Sequence, residues 1–201
     1  MGRTTKRLQV RNTVALVGDG QTERIYFSDV RDTDRPANLS IFPDYPRKIG
    51  NYKGVLDRAM SLVGNYDHIY ALIDMDKIIN DKQQAAYRND KTAAKAAGII
   101  VLENNPCFEI WILLHFIHTG KLFTNCKEVC AQLRMKGRIP DYDKKERFLK
   151  NARLYQTYKA QLIGQAIPNA KRLENSRFGQ DTLFPRAETF RFFEWYLKNI
   201  V

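Results

Sequence analysis

Four short apolar runs alternate with stretches of helical periodicity over the first half of the chain. The runs are residues 13–18 (TVALVG), 39–42 (LSIF), 68–73 (HIYALI) and 98–102 (GIIVL). Each has the length of one buried strand. Between the runs, apolar spacing and composition predict helices over residues 21–30, 52–63 and 81–97. This strand–helix–strand order is typical of an α/β fold with a mostly parallel sheet flanked by helices.

The pattern changes at Pro106. Residues 107–119 are almost wholly apolar, which predicts a buried helix that begins after this proline and ends at Gly120. We predict an α/β core over residues 1–120 and a basic helical extension packed on it over residues 121–201, with no strand there. The helices expected in the extension are residues 124–135, 143–166 and 185–200, separated by breaks at Gly137, Pro140, Pro168, Gly179 and Pro185.

Hydropathy and cysteine usage limit where the protein can reside. No apolar run approaches the roughly 20 residues that a membrane-spanning helix needs, and no apolar stretch follows the basic first ten residues as it does in a signal peptide. The three cysteines, Cys107, Cys126 and Cys130, do not resemble a disulfide framework. We therefore expect unpaired cysteines in a protein of the reducing cytoplasm. Oligomeric state leaves no trace in the sequence.

Positive charge is concentrated in the second half of the chain. The net charge is +11, and residues 121–201 contribute 17 basic against 8 acidic side chains, or +9 of it. A field of this sign attracts polyanions, which favours a nucleic-acid partner, although a basic surface also serves solubility alone. A basic arm at the start of the chain (Arg3, Lys6, Arg7, Arg11) adds little to this inference.

Acidic residues follow three of the predicted strands. Asp19 comes after the first strand, with Glu23 one helical turn later, Asp74 and Asp76 come after the third, and Glu109 follows the fourth. Ligands of an open parallel sheet bind beyond the carboxyl ends of its strands. A single carboxylate there also fits a helix cap or a solvated turn. Several together repel one another unless a cation is present, and oxygen-only ligation is what Mg²⁺ or Mn²⁺ prefers.

The spacing within these acidic sites is informative. Asp74 and Asp76 share one face if the strand continues through them, so both can address one metal ion. Gly18 and Gly20 around Asp19 permit a tight turn and a close backbone approach to a phosphate. The chain lacks the GxxxxGK[ST] pattern, which excludes a phosphate-loop NTPase.

The buried helix expected after Pro106 contains two polar residues. Glu109 lies early in it, where the helix dipole favours an anion, but a carboxylate in apolar surroundings is costly unless it is paired. His115 has two open interpretations, a core histidine or a residue that positions a phosphate or a water. Cys126 and Cys130 have the spacing of half a metal site, but no second Cys/His pair has zinc spacing.

Three segments, VALVGDGQTERIYF, HIYALIDMDK and NNPCFEIWILLHF, resemble the RloB-like family, which belongs with the Toprim superfamily. The resemblance covers residues 13–120 and is weaker at residues 139–144 (IPDYDK). It implies a Toprim-like α/β domain with added helices. It also implies a metal-dependent nuclease of the kind linked to restriction and phage-defence loci in bacteria.

The resemblance assigns the metal ligands residue by residue. Asp74 and Asp76 match the family's DxD pair. Asp19 stands where Glu is usual, and Glu23 stands at the later acid of the same motif. Together with Glu109, which is also the candidate general base, these residues are expected to hold Mg²⁺ or Mn²⁺.

Further residues are expected to assist catalysis. Asn105 and His115 match polar positions of the NPCFE…LLHF signature, with Asn105 as a positioning residue and His115 orienting the site or protonating the leaving oxygen. Lys77, directly after the DxD pair, is expected to stabilise the negative charge of the transition state.

The function predicted from these features is a Mg²⁺-dependent nuclease whose basic helices hold the nucleic-acid backbone. Asp19 is one methylene shorter than the usual Glu, which motivates the alternative of a catalytically weak nucleic-acid-binding or sensing module. A nucleotidyl-transfer enzyme on the same scaffold is the third hypothesis.

Overall fold

The computed structural model describes residues 11–46, 50–176 and 184–200. Gly179 and most of the basic arm (Arg3, Lys6 and Arg7) lie outside the described residues. Five strands form one sheet. They are Asn12–Val17 (β1), Leu39–Asp44 (β2), His68–Asp74 (β3), Ile100–Asn105 (β4) and Arg186–Ala187 (β5).

The sheet has the order β2-β1-β3-β4-β5, and β1 to β4 run parallel. All four strands expected from the apolar runs are present, which confirms the mostly parallel α/β fold. Only β5 is antiparallel, and it pairs Ala187 with Asn104 and Arg186 with Asn105. A two-residue strand is too short to leave a periodic signal, so the sequence did not predict it.

Helices cover both faces of the sheet. The helices in the described residues are Gln21–Asp34 (α1), Tyr52–Ser61 (α2), Asp76–Asn80 (α3), Gln84–Ala96 (α4), Glu109–Leu113 (α5), Cys126–Leu133 (α6), Glu146–Ala152 (α7), Leu154–Gln161 (α8), Ile167–Asn175 (α9) and Thr189–Asn199 (α10). A π-helical turn, Leu162–Ala166, joins α8 to α9. None of the described helices combines the length and the apolar composition that crossing a membrane requires.

Alternate side chains of β1 enter two separate cores. Val14 and Leu16 pack with the aromatic side chains of α1, α5 and α10, whereas Ala15 and Val17 pack with α2 and α4. This is why β1 reads as a continuous apolar run, since both of its faces are covered. The first core also contains side chains from α6 to α9, and Trp111 stacks on Phe193 with ring centroids 5.3 Å apart. The division at residue 120 stays a prediction.

The segment after Pro106 is buried as expected, but it is not one long helix. Burial continues to His115, whereas the helix α5 spans only Glu109–Leu113. The Pro106 carbonyl accepts hydrogen bonds from the backbone N–H groups of Met75 and Asp76, both at 3.0 Å. The Pro106 carbonyl is therefore used by the residues after β3, and the helical hydrogen bonds begin at Cys107 and Phe108, whose carbonyls accept from Ile110 N and Trp111 N.

The helix boundaries of the second half differ from the expected ones. The single helix expected over residues 143–166 is divided into α7, α8 and the π-helical turn, with Arg153 in a left-handed conformation between α7 and α8. Pro168 was interpreted as a break, but it lies in the first turn of α9, where its missing N–H costs nothing.

Candidate functional site

The carboxyl ends of β1, β3 and β4 meet at one edge of the sheet, and residues at the ends of β1 and β3 line a cavity of about 500 Å³. Asp19 follows β1, Asp74 ends β3 and Asp76 begins α3, and all three line this cavity. Lys77, which was expected to stabilise the charge of the transition state, lines the cavity as well. The structure therefore brings together the acidic residues of two separate motifs, as the strand-end rule requires.

Glu23 extends from the first turn of α1 toward the turn that follows β1. A Cβ atom on Gly20 would lie 1.7 Å from Glu23 Oε2, so this turn needs glycine to admit the carboxylate. Only 3% of Glu23 is exposed. Burial, and then the negative charges of Glu109 and Asp19, raise the pKa of Glu23 to about 8.

The two aspartates of the DxD pair are held by backbone N–H groups. Asp74 Oδ1 accepts from Phe108 N at 2.8 Å, and Asp76 Oδ1 accepts from Lys77 N at 2.7 Å. Burial, followed by the charges of Glu23, Glu109 and Asp19, raises the pKa of Asp74 well above its usual range. Burial also raises the pKa of Asp76. These carboxylates cannot all be ionised cheaply without a cation.

Glu109 is fully buried beside this cluster, and three donors surround one of its two carboxylate oxygens. Its Oε1 accepts from Thr22 Oγ1 at 2.9 Å, Tyr142 OH at 3.0 Å and Lys144 Nζ at 2.8 Å. Burial opposes the charged form of Lys144, but the Glu109 carboxylate outweighs it and raises the pKa of the lysine. Lys144 reaches the cavity from the surface and also brings positive charge toward Asp74.

The sequence profile of the family described as RloB-like protein matches residues 14–189. The chain belongs to the RloB-like family. This confirms the resemblance carried by the three motifs, and the wider grouping with the Toprim superfamily stays a prediction. No curated protein and no solved structure is significantly similar to the chain.

The match of this RloB-like protein extends beyond residue 120 and includes residues that sequence reasoning did not assign to the site. Tyr142 and Lys144 belong to the IPDYDK segment, whose weak similarity was the available signal. Thr22 left no signal, since it precedes an acidic residue on an ordinary amphipathic helix.

Tyr45 is a further residue that the sequence did not indicate. It follows β2, and its ring packs so closely on Gly18 that a Cβ there would lie 2.5 Å from Tyr45 Cε1. Its hydroxyl is buried and makes no hydrogen bond to the residues that the structure describes. Burial, and then the charges of Glu23, Asp74 and Asp19, raise its pKa well above the usual range. Extending the strand-end rule to β2 would have found this residue.

His115 and Asn105 are buried among residues of the core and of the sheet. His115 Nδ1 is 3.0 Å from the carbonyl oxygen of Trp111, and its ring lies against the Trp111 ring. Burial lowers the pKa of His115 to about 4, so the ring is neutral at neutral pH and the core interpretation is favoured. Asn105 is buried at the end of β4, and its Nδ2 donates to the Phe184 carbonyl at 2.8 Å. Their predicted site roles stay predictions.

The expectation of unpaired cysteines is wrong for two of the three. Cys107 and Cys126 form a disulfide between the segment before α5 and the start of α6. Cys126 lines the cavity, and its Sγ is 3.0 Å from Glu109 Oε2 and 3.5 Å from Lys144 Nζ. The two cysteines are 19 residues apart in sequence, a separation that follows from no helix or strand periodicity, so the pairing was not predicted. Cys130 is free and buried.

Proposed function

We propose that this RloB-like protein is a Mg²⁺-dependent nuclease that cleaves phosphodiester bonds of nucleic acid. The observation that carries the proposal is the convergence of Asp19, Glu23, Asp74 and Asp76 at neighbouring strand ends. The raised pKa values of three of them indicate a cluster that lacks positive charge. Its donors are all carboxylate oxygens, which fit Mg²⁺ or Mn²⁺.

The four carboxylates would hold the metal, with Glu109 predicted as a further ligand. Bound Mg²⁺ would offset phosphate charge and lower the pKa of an attacking water. The backbone N–H groups of Phe108 and Lys77 keep Asp74 and Asp76 in place, so little side-chain freedom is lost when they bind.

Two lysines and one tyrosine complete the proposed reaction site. Lys77 and Lys144 line the cavity beside the carboxylates, where their charges would stabilise a phosphate group. The unpaired Tyr45 hydroxyl is available to donate to a phosphate oxygen. The +9 charge of residues 121–201 supports binding to a nucleic-acid backbone. The family resemblance supports a role in bacterial phage defence, and we propose that the protein acts in the cytoplasm.

The test compares wild type with the double variant Asp74→Asn/Asp76→Asn on labelled single-stranded and duplex DNA and RNA. We expect cleavage in Mg²⁺ or Mn²⁺, none in a chelator, and a loss of at least about 10³-fold in the variant. The matched control is Asp57→Asn/Asp141→Asn, which makes the same change at two exposed positions. Equal cleavage by the wild type and the site variant would reject the proposal.

Asp19 is exposed, and this favours the alternative of a catalytically weak protein that binds or senses nucleic acid. A nucleic-acid-binding or sensing module would bind with steep salt dependence and would cleave nothing in either metal. Incorporation of label from NTPs would instead identify nucleotidyl transfer.

A further inference from the structure

We propose that Cys107, Cys126 and Glu109 bind a zinc ion once the disulfide between the two cysteines is reduced. This site adjoins the four strand-end carboxylates and shares Glu109 with the predicted Mg²⁺ ligands, but its other two ligands are sulfurs and its oxygen is Glu109 Oε2. The proposal goes beyond the nuclease activity and does not depend on it.

The two oxygens of Glu109 have unequal surroundings. Oε1 accepts three hydrogen bonds, from Thr22, Tyr142 and Lys144. Among the described residues, Oε2 has one neighbour within hydrogen-bond distance, Cys126 Sγ at 3.0 Å. A disulfide sulfur carries no hydrogen to donate. A fully buried carboxylate oxygen therefore faces a pair of sulfurs without a donor, which is costly unless a cation satisfies it.

The three groups have the composition and proximity of a zinc site. Both sulfurs and a Glu109 oxygen lie within 4.8 Å of one another. The Cα atoms of Cys107 and Cys126 are 5.6 Å apart, so the sulfurs stay neighbours when the bond between them is open. Thiolate ligands select zinc over Mg²⁺, which the oxygen-only cluster next to it favours.

The charge balance also fits a divalent ion. Two thiolates and one carboxylate carry three negative charges, which Zn²⁺ and the Lys144 ammonium together neutralise. Lys144 Nζ lies 2.8 Å from Glu109 Oε1 and 3.5 Å from Cys126 Sγ, so it already accompanies two of the ligands. Because Cys126 lines the cavity, solvent offers an entry path and a water for the fourth position.

Formation of the site needs a dithiol reductant. The dithiol transfers two electrons and two protons to the Cys107–Cys126 disulfide. The S–S bond breaks, two thiols form, and the reductant becomes a cyclic disulfide. Zn²⁺ then displaces the two thiol protons, which pass to solvent.

The experiment uses the full chain with excess Mg²⁺ throughout, so that the oxygen cluster is saturated. Reduced and oxidised protein are incubated with Zn²⁺ and desalted, and the retained zinc is counted by atomic emission. We expect about one Zn²⁺ per reduced chain and none per oxidised chain. Co²⁺ in place of Zn²⁺ should show thiolate-to-cobalt charge-transfer absorption in the reduced protein alone.

Variants test the ligand set. Cys107→Ser and Cys126→Ser should abolish retention, and Glu109→Gln should weaken zinc binding at least about tenfold. Cys130→Ala is the matched control, because Cys130 is a cysteine of the same helix as Cys126 outside the ligand group, and it should retain zinc. If Cys107→Ser fails to fold by circular dichroism, Cys126→Ser decides. Reduced wild type without zinc, or Cys126→Ser with undiminished zinc, would overturn the proposal whether or not the protein cleaves nucleic acid.

Discussion

Among the residues that the structure describes, two groups of acidic side chains have opposite surroundings. Where α1 meets α8 and α10, Asp34 accepts from Tyr155 OH at 2.5 Å, Tyr196 OH at 3.0 Å and Lys159 Nζ at 2.6 Å. Asp29 accepts from Arg153 Nε at 3.1 Å and from Gln156 N at 3.0 Å. Each acid of this group meets its own donors on neighbouring helices.

At the strand ends, the neighbours of each acid are mainly other acids. Glu23 and Asp74 each feel the charges of Glu109 and Asp19, and Lys144 is the cation that lowers the pKa of both. The acids that join helices thus meet charged and hydroxyl donors, whereas Asp74 and Asp76 meet backbone N–H groups and the charges of their acidic neighbours. A local deficit of positive charge of this kind favours the binding of a cation.

The same substitution in both groups should have opposite effects on stability, and this is the largest difference we predict. Asp34→Asn removes the charge that Tyr155, Tyr196 and Lys159 share, so the free energy of unfolding should fall by about 2–3 kcal/mol. Asp74→Asn keeps an acceptor for Phe108 N and relieves repulsion, so metal-free stability should be unchanged or higher. Urea unfolding of both variants without metal is the measurement. Equal destabilisation would remove the distinction between the groups.

Local sequence patterns predicted most of the sheet and part of the candidate site. The apolar runs indicated four of the five strands, and the strand-end rule indicated Asp19, Asp74 and Asp76 as neighbours. Helical periodicity predicted one helix to residue 119, but α5 spans only Glu109–Leu113, and the Pro106 carbonyl accepts from Met75 and Asp76 just after β3 instead of from the helix.

Contacts between distant residues were beyond the reach of local patterns. Lys144 joins Glu109 from 35 positions away, and Tyr45, which follows β2, lies within reach of the charges of Glu23 and Asp74. No periodicity links such pairs, so the ion pair, the buried hydroxyl and the Cys107–Cys126 disulfide emerged only from the fold. The metal, the nucleic-acid substrate and the roles of the site residues stay predictions.

The stability of the metal-free protein should depend on pH through Glu23. Its folded pKa of about 8 lies above the ordinary value of 4.5, so between these values the folded state binds the proton more tightly than the unfolded state does. Stability from this group is fully present below about pH 4.5 and is lost progressively as the pH rises through about 8. Glu23→Gln should flatten this part of the profile in thermal unfolding at several pH values without metal.

Adding Mg²⁺ should restore stability to the wild type at the alkaline end, where the carboxylate is ionised, and should do so less for Glu23→Gln. Superimposable pH profiles of the two proteins would mean that Glu23 is not held protonated by its acidic neighbours.

The smallest expected effect concerns Tyr45, whose hydroxyl lacks a partner although it is buried beside the acids. Tyr45→Phe removes a polar group without breaking a hydrogen bond, so stability should stay the same or rise by up to about 1 kcal/mol. If the hydroxyl donates to a substrate phosphate, cleavage should fall about tenfold, the worth of one such bond.

Tyr52→Phe is the matched control, since Tyr52 lines the same cavity but its hydroxyl donates to Asp90 at 3.3 Å. It should leave the cleavage rate unchanged. A loss of about 2 kcal/mol of stability in Tyr45→Phe would show that the hydroxyl has a structural partner. Tyr45 would then have a structural role, like the donors of Asp34. It would not belong to the proposed metal and phosphate site.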